Sequence, residues 1–484
     1  MKEEGKVLKS LLRKYQNLSI QVRASLWFLI CSFLQKGISC VTTPIFTRLL
    51  STNEYGEYSV FVSWQGIILI VISLNLWSGG YMQGLVKFEN DRERYSSSLQ
   101  GLTLVLVLCW SVLYTIFHAK INNILSLSTI QVICIIILVW TSSAFSFWAS
   151  EQRVDFKYKQ LVWLTVIVSV VKPILGILLV MNSQDKVTAR IVGLVIVELL
   201  YLICFVSQLK NGRTFYSKKY WVYSLKFNLP LLPHYLSMTV LSSSDRIMIQ
   251  QITGKGNAGI YSLAYSISMI MTLFNSALLQ TVEPWMYKKI KEKKIEEISK
   301  VAYPSFLLIA GVNIILIILA PEIIHIFAPS EYWNAIWVIA PVAMSCYFMF
   351  SYSFFAVFEF YYEKTKNITI ATCIAALLNI SLNYIFIKKY GYYAAGYTTL
   401  LCYIFFALFH YVMMRRICKI YINNRKAYNT KILLLISLGF IGCGIIALFT
   451  YQLPIVRYVL VLITLIIIVI FRDKIKNYRH LLSK

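Results

Sequence analysis

Charge is scarce in this chain: only 14% of its 484 residues are Asp, Glu, Lys or Arg, while 58% are hydrophobic. An ordinary globular domain carries about 25% charged and about 45–50% apolar residues. Polar residues are too few to cover a soluble body of this size, which excludes a soluble enzyme and points to a membrane protein. The ten cysteines form no C-x-x-C pair and have no histidine at ligand spacing. Nearly all of them, among them Cys31, Cys134, Cys204, Cys346 and Cys402, lie inside apolar runs. A disulfide framework and a metal site are therefore not expected, and no cofactor is implied. A G-x-x-x-x-G-K-[ST] motif is also missing, because Gly254-Lys255-Gly256 has the wrong spacing, so ATP hydrolysis by this chain is excluded. Acidic residues number 21 against 47 basic ones, a net charge of +26. The basic residues sit in short clusters between apolar segments, which fits an orientation signal and not a nucleic-acid surface. A basic stretch of 24 residues precedes the first apolar run, and no small-residue cleavage site follows it, so that run reads as a retained helix.

What is present is a series of apolar runs. At about 20 residues per crossing, the chain offers fourteen candidate helices near 25–47, 59–80, 97–117, 128–149, 161–181, 191–209, 227–250, 259–283, 301–320, 333–357, 367–387, 392–414, 432–450 and 458–471. With the N-terminus inside, 36 Lys and Arg fall on the cytoplasmic side and 8 on the external side. That asymmetry supports an even number of helices with both termini cytoplasmic. The 33 tyrosines and 11 tryptophans read chiefly as interfacial belts, and the basic run Lys288 to Lys294 as an orientation signal.

The chain also repeats itself. Tyr55-Gly56-Glu57-Tyr58-Ser59-Val60 returns 203 residues later as Ala258-Gly259-Ile260-Tyr261-Ser262-Leu263, and Val192-Gly193-Leu194 returns as Ala395-Gly396-Tyr397 at the same offset. A six-helix duplication follows, and because six is even both copies enter the membrane in the same direction, as parallel repeats about an axis along the membrane normal. The expected organisation is a basic cytoplasmic segment 1–24, an N-lobe 25–209, a cytoplasmic inter-lobe loop 210–226, a C-lobe 227–414, two further helices within 432–471 and a cytoplasmic tail 472–484. The fold class is thus an all-α polytopic membrane protein with about fourteen transmembrane helices.

A charged side chain at mid-bilayer costs about 2.5–3.5 kcal/mol on insertion scales, so each one there needs a partner or a wet cavity. Lys36 lies near the centre of the first span, Lys172 near that of the fifth and Glu198 near that of the sixth. Lys172 and Glu198 read equally as a structural ion pair between adjacent helices. Lys36 has no acidic residue at its depth in its own helix, which favours a polar cavity over snorkelling. The seventh span carries Asp245-Arg246, with His234, Pro230 and Pro233 nearer its cytoplasmic end. Arg246 is a turn from the outer boundary, where snorkelling or pairing with Asp245 competes with ligand contact. Asp245 and Glu198 are the candidate carriers of a coupling proton.

The stretch Pro44-Ile45-Phe46-Thr47-Arg48-Leu49-Leu50-Ser51, with Glu54-Tyr55-Gly56-Glu57-Tyr58 after it, resembles the end of the first helix in polysaccharide-repeat flippases. These form the Wzx-like branch of the multidrug/oligosaccharidyl-lipid/polysaccharide exporter superfamily. Asn228-Leu229-Pro230-Leu231-Leu232-Pro233, then Ser244-Asp245-Arg246 and Gly259-Ile260-Tyr261-Ser262, resembles that family's lobe-two opening. The resemblance implies a two-lobed, alternating-access transporter in a bacterial cytoplasmic membrane, moving an undecaprenyl-diphosphate-linked oligosaccharide to the outer leaflet for O-antigen, capsule or exopolysaccharide synthesis. It implies a cation-lined cavity, with Lys36, Arg48 and Arg246 as diphosphate-binding candidates by motif and Lys172 added from depth. Membrane lipids, H+ or Na+, a polymerase and glycosyltransferases are the implied partners. Two other readings stand beside it: a cation-coupled multidrug exporter of the same superfamily, which should carry more acidic and fewer basic mid-membrane residues, and a polytopic polysaccharide polymerase, for which the external loops are short.

Overall fold

The computed structural model describes residues 19–466 and Val469. Among the described residues the regular structure is helical, with no strand. Twelve helical stretches are long and apolar enough to cross a membrane. The two remaining expected segments also fall on helices: 227–250 on one made less apolar by its serines, Asp245 and Arg246, and 458–471 on Pro454–Ile466, beyond which it runs outside the described residues. The expected tail 472–484 and most of the basic stretch 1–24 lie outside them as well.

The helices pack into two compact units, one running to Thr43 and resuming over Gln65–Leu232, the other comprising Pro44–Trp64 and Pro233 onward. In the first unit are most of α1 (Ile20–Leu49), the end of α2 (Thr52–Ser73), α3 (Gly80–Lys87), α4 (Arg92–Leu125), α5 (Thr129–Val154), α6 (Tyr158–Met181), α7 (Lys186–Glu198), α8 (Leu202–Gly212) and α9 (Lys218–Asn228). Local signals set the ends: Ser128 and Gln131 form a capping box at α5, and the Asp185 side chain accepts from the Thr188 N–H at α7. α4 packs on α5 and α8, and α6 on α7. Tyr81, Tyr95, Phe147 and Tyr220 close one end in a cluster of buried aromatic rings.

That cluster corrects the expected inter-lobe loop 210–226. α9 is helical and its Tyr220 and Ser224 are buried against α4, with Ser224 bonded to the Tyr95 hydroxyl at 3.1 Å. The sequence hides this because α9 is short and carries three lysines.

The second unit holds the end of α1, the start of α2, then α10 (Leu232–Thr253), α11 (Lys255–Ser268), α12 (Met271–Lys291), α13 (Ile298–Ile318), α14 (Ala320–Phe327), α15 (Ile336–Tyr361), α16 (Thr365–Tyr390), α17 (Tyr393–Tyr421), α18 (Thr430–Phe449) and α19 (Pro454–Ile466). α15 is its core, packed against α11, α12, α13, α17 and α18 and buried over most of its length. Outward faces are apolar, with Leu435, Phe449 and Ile455 exposed, as a hydrocarbon environment allows.

Residues 44–64 belong here and not to the expected N-lobe 25–209, for two reasons. Thr47 Oγ1 donates to the Phe327 carbonyl at 2.6 Å and Arg48 Nη2 to that of Ile326 at 2.9 Å, tying the end of α1 to the C-terminus of α14. The start of α2 crosses α11 at a pair of glycines. A Cβ on Gly56 would lie 1.9 Å from the Lys255 carbonyl oxygen, and one on Gly259 would lie 2.1 Å from that of Thr52. Thr52 and Lys255 stand at the same 203-residue offset as Gly56 and Gly259. The contact is reciprocal, as residues on a local two-fold axis must be.

Candidate functional site

The densest polar arrangement inside an apolar unit is built around Asp245 on α10, which is 1% exposed. Its carboxylate accepts from Tyr261 Oη on α11 at 2.6 Å, from Asn383 Nδ2 on α16 at 2.6 Å and from Thr399 Oγ1 on α17 at 2.8 Å. A second layer orients the first. Asn379, one helical turn from Asn383, accepts at Oδ1 from Ser244 Oγ at 3.0 Å and from Asn383 Nδ2 at 3.1 Å, and Thr398 donates to Asn383 Oδ1. Asn379 Nδ2 is buried without a hydrogen-bond partner among the described residues. These bonds tie α10 to α11, α16 and α17.

Arg246 does not neutralise this carboxylate. Its guanidinium donates to the Ser242 carbonyl at 3.1 Å and lies 4.3 Å from the centre of the Tyr265 ring. Among the described residues Asp245 therefore has neutral hydrogen-bond donors and no ion-pair partner. Burying a carboxylate this way is costly unless it takes up a proton or a cation. Both are chemically open, because the hydroxyls of Tyr261 and Thr399 that donate to the carboxylate can also turn and accept.

Lys172 and Glu198 meet in the first unit, Nζ to Oε1 at 2.6 Å, between α6 and α7. Glu198 Oε2 accepts from Thr141 at 3.1 Å and Ser142 at 2.8 Å on α5, and Tyr201 stands under the ammonium at 5.5 Å. Both carboxylate oxygens are engaged, and Lys172 has its counter-charge. Arg48 is likewise committed, donating to the carbonyls of Pro44 at 2.8 Å and Ile326 at 2.9 Å. These include a last-turn carbonyl of α14 that has no intrahelical donor. Lys36 differs from all of them: it is exposed on α1 and takes no hydrogen-bond or ion-pair partner among the described residues. The structure thus brings Lys172 and Glu198 together, leaves Asp245 and Arg246 as neighbours facing different partners, and ties Arg48 to α14.

Tyr261, Asn379, Asn383, Thr398 and Thr399 do not stand out from sequence as site residues. The available signal is Asn379-x-x-x-Asn383, two amides one turn apart in an apolar helix, followed by Thr398-Thr399. Also unmarked are the buried pair Glu359 and His410, and Glu151, which accepts from Gln208, itself the acceptor of Gln100 at 2.7 Å. His234 pairs with Thr372 Oγ1 at 3.0 Å on α16.

A family model described as polysaccharide biosynthesis protein matches residues 22–289. A protein of the Lsg locus of Haemophilus influenzae is 23% identical over 383 residues, covering 74% of this chain and 89% of that protein. A Haloferax volcanii protein described as a probable low-salt glycan biosynthesis flippase is 23% identical over 393 residues, covering 78% of this chain and 80% of its own. Two solved structures share the fold. An inward-facing multidrug resistance MATE family transporter of the MOP superfamily aligns with a TM-score of 0.61 at 13% identity, over 79% of this chain and 95% of that one. A MOP superfamily transporter from Pyrococcus furiosus, whose binding pocket is of reversed polarity, aligns at 0.57 and 14% identity over 82% and 95%.

Proposed function

Since the chain belongs to the polysaccharide biosynthesis protein family, among its Wzx-like flippases, we propose that it carries an undecaprenyl-diphosphate-linked oligosaccharide repeat unit from the cytoplasmic to the outer leaflet of a bacterial cytoplasmic membrane by alternating access. The observation that carries this reading is the family match over more than half of the chain. It supports a transporter in preference to an enzyme, and in this reading the chain works beside the glycosyltransferases and polymerase that build and consume its cargo.

The physical task is to move a diphosphate and sugar hydroxyls past hydrocarbon while the isoprenoid tail remains in lipid. Each polar group taken across unpaired costs several kcal/mol, so a polar path with fixed positive charge removes most of the barrier. Lys36 is the diphosphate contact in this reading, because its ammonium has no protein counter-charge among the described residues. Arg246 stands second, half-buried and held against Tyr265. Arg48 and Lys172 act through the carbonyls and the carboxylate that already occupy them. They are positioning residues for α14 and α7.

Without ATP, direction comes from ion gradients. An interior-negative potential favours outward movement of an anion by about 2.3 kcal/mol per charge per 100 mV. Asp245 is the coupling group, taking up H+ or Na+ within its hydrogen-bonded cage, and Glu198 is withdrawn from that role by its lysine. A cation-coupled drug exporter would use the same cage, and the solved MATE transporters share the fold. The two readings part at Lys36, which suits an anionic cargo.

Replacing Lys36 is the test. In cells depending on this chain, Lys36→Ala should stop export of the surface polymer and leave lipid-linked repeat units on the cytoplasmic leaflet, with normal amounts of protein in the membrane, while Lys36→Arg should retain export. Unchanged polymer from a normally inserted Lys36→Ala protein removes the diphosphate assignment, and drug efflux in place of glycan export would select the alternative.

A further inference from the structure

A second ionisable pair in the C-terminal unit plays no part in the reading above. Glu359, near the end of α15, and His410, within α17, are both 0% exposed. Glu359 Oε1 and His410 Nδ1 are 2.5 Å apart. The other two polar atoms, Glu359 Oε2 and His410 Nε2, are buried and have no hydrogen-bond partner among the described residues. A pair that only clamped α15 to α17 should have all its polar atoms satisfied, as buried polar groups ordinarily are. Here half of them are unpaired, one on each residue.

Charge accounting gives the pair a property. As carboxylate with imidazolium, or as carboxylic acid with imidazole, it is neutral overall and holds the same number of protons. Removing a proton leaves a buried negative charge and adding one leaves a buried positive charge, and dry surroundings disfavour both. The surroundings are dry: the His410 ring lies edge-on to Phe406 at 4.5 Å and near Phe409 at 5.9 Å and Tyr352 at 5.5 Å. Exchange therefore requires water at one of the two unpartnered atoms.

We propose that Glu359 and His410 form a proton-binding site, which keeps one exchangeable proton while dry and gives it up in a conformation that hydrates Oε2 or Nε2. It is separate from the Asp245 cage: His410 lies eleven residues beyond Thr399 on α17, roughly 16 Å at about 1.5 Å per residue. His234 on α10 lies within electrostatic reach of His410, the Tyr352 ring on α15 is 5.5 Å from it, and Glu283 on α12 acts on Tyr352 in turn. Among the described residues no lysine or arginine stands within ion-pair distance of Glu359, so the proton is the charge that balances it. The site stands on the geometry of this unit and does not depend on the glycan assignment.

The probe is the proton itself. Full-length protein in liposomes of phosphatidylethanolamine and phosphatidylglycerol is taken through acid-minus-base infrared difference spectroscopy, in H2O and in D2O. The wild type should show a carboxyl band and imidazole bands titrating together. Glu359→Gln should lose the carboxyl band, His410→Gln should lose the part of the imidazole signal that changes with it and shift the carboxyl band, and Asp245→Asn should keep both. Proton uptake should fall by roughly one per chain in the Glu359→Gln, His410→Gln double variant. Spectra unchanged by these substitutions between about pH 4 and about pH 10 overturn the proposal, as a purely structural pair would give. Should the variants not fold, ring-labelled histidine in the wild type gives the same reading: label-sensitive bands that titrate with the carboxyl band support the site, and their absence overturns it.

Discussion

Lys36, Arg48, Lys172, Glu198, Asp245 and Arg246 lie within or at the ends of the apolar segments, and their partners separate their roles. Lys172 and Glu198 neutralise each other at 2.6 Å. Breaking a fully buried pair costs about 3–5 kcal/mol, and Lys172, with a quarter of its side chain exposed, should cost less. Lys172→Glu and Glu198→Lys are each expected to destabilise by roughly 1–3 kcal/mol, and the exchanged double variant to recover at least about 1 kcal/mol of that. Thermal unfolding of the purified proteins checks this. Equal loss in the double variant would mean that orientation of the pair, braced by Thr141 and Ser142, matters as much as its charge. Among the described residues Asp245 takes hydrogen bonds from neutral donors, so Asp245→Asn should keep the bond from Asn383, turn the Tyr261 and Thr399 hydroxyls to accept from its amide, and remove ion coupling. Coupling free energies are typically about 1–3 kcal/mol, so export driven by an ion gradient should fall roughly 5–150-fold. A ligand that binds only the folded state raises the melting temperature by mass action. Sodium in place of choline should therefore stabilise the wild type and not Asp245→Asn if Na+ is the ion. If H+ is the ion, salt identity should have no effect and the variant should lose the pH dependence of export.

Among the helices, the contacts that matter are made by backbone as much as by side chains. Gly56 and Gly259 let α2 and α11 approach until a Cβ would overlap a carbonyl oxygen. Overpacking typically costs about 1–3 kcal/mol. Gly56→Ala and Gly259→Ala should each fall in or above that range, with similar losses because the contact is reciprocal. A melting shift in one variant and none in the other would argue against the local two-fold. The helix segments themselves were readily legible in their middles, while 59–80 runs past the end of α2 at Ser73 and 259–283 is divided between α11 and α12. Hydrocarbon demands internally bonded backbone, and the composition that meets this demand is local. α9 was not legible, because it is anchored by Tyr220 in an aromatic cluster contributed by α3, α4 and α5, and not by an apolar run of its own.

At the scale of the whole chain, the 203-residue repeat and the bias of 36 to 8 basic residues describe a duplicated helical body with a preferred orientation. Packing divides it into two units whose boundaries depart from the repeat, since the end of α1 and the start of α2 are drawn to α14 and α11. The candidate site was half legible. Asp245 stood out because a carboxylate in an apolar segment is rare and costly. Its cage did not, because Asn379, Asn383 and Thr399 are neutral, lie 134 to 154 residues away, and are brought to Asp245 only by the packing of four helices.

Composition and periodicity alone determined that this chain crosses a membrane many times as helices, since the cost of exposing charge and unbonded backbone to lipid depends only on the residues in each segment. Which charges are answered, and by whom, was decided by the tertiary structure. Hydrogen bonds and ion pairs act over about 3 Å, so whether Glu198 finds Lys172, Asp245 finds Tyr261 or Glu359 finds His410 depends on how helices distant in sequence are packed.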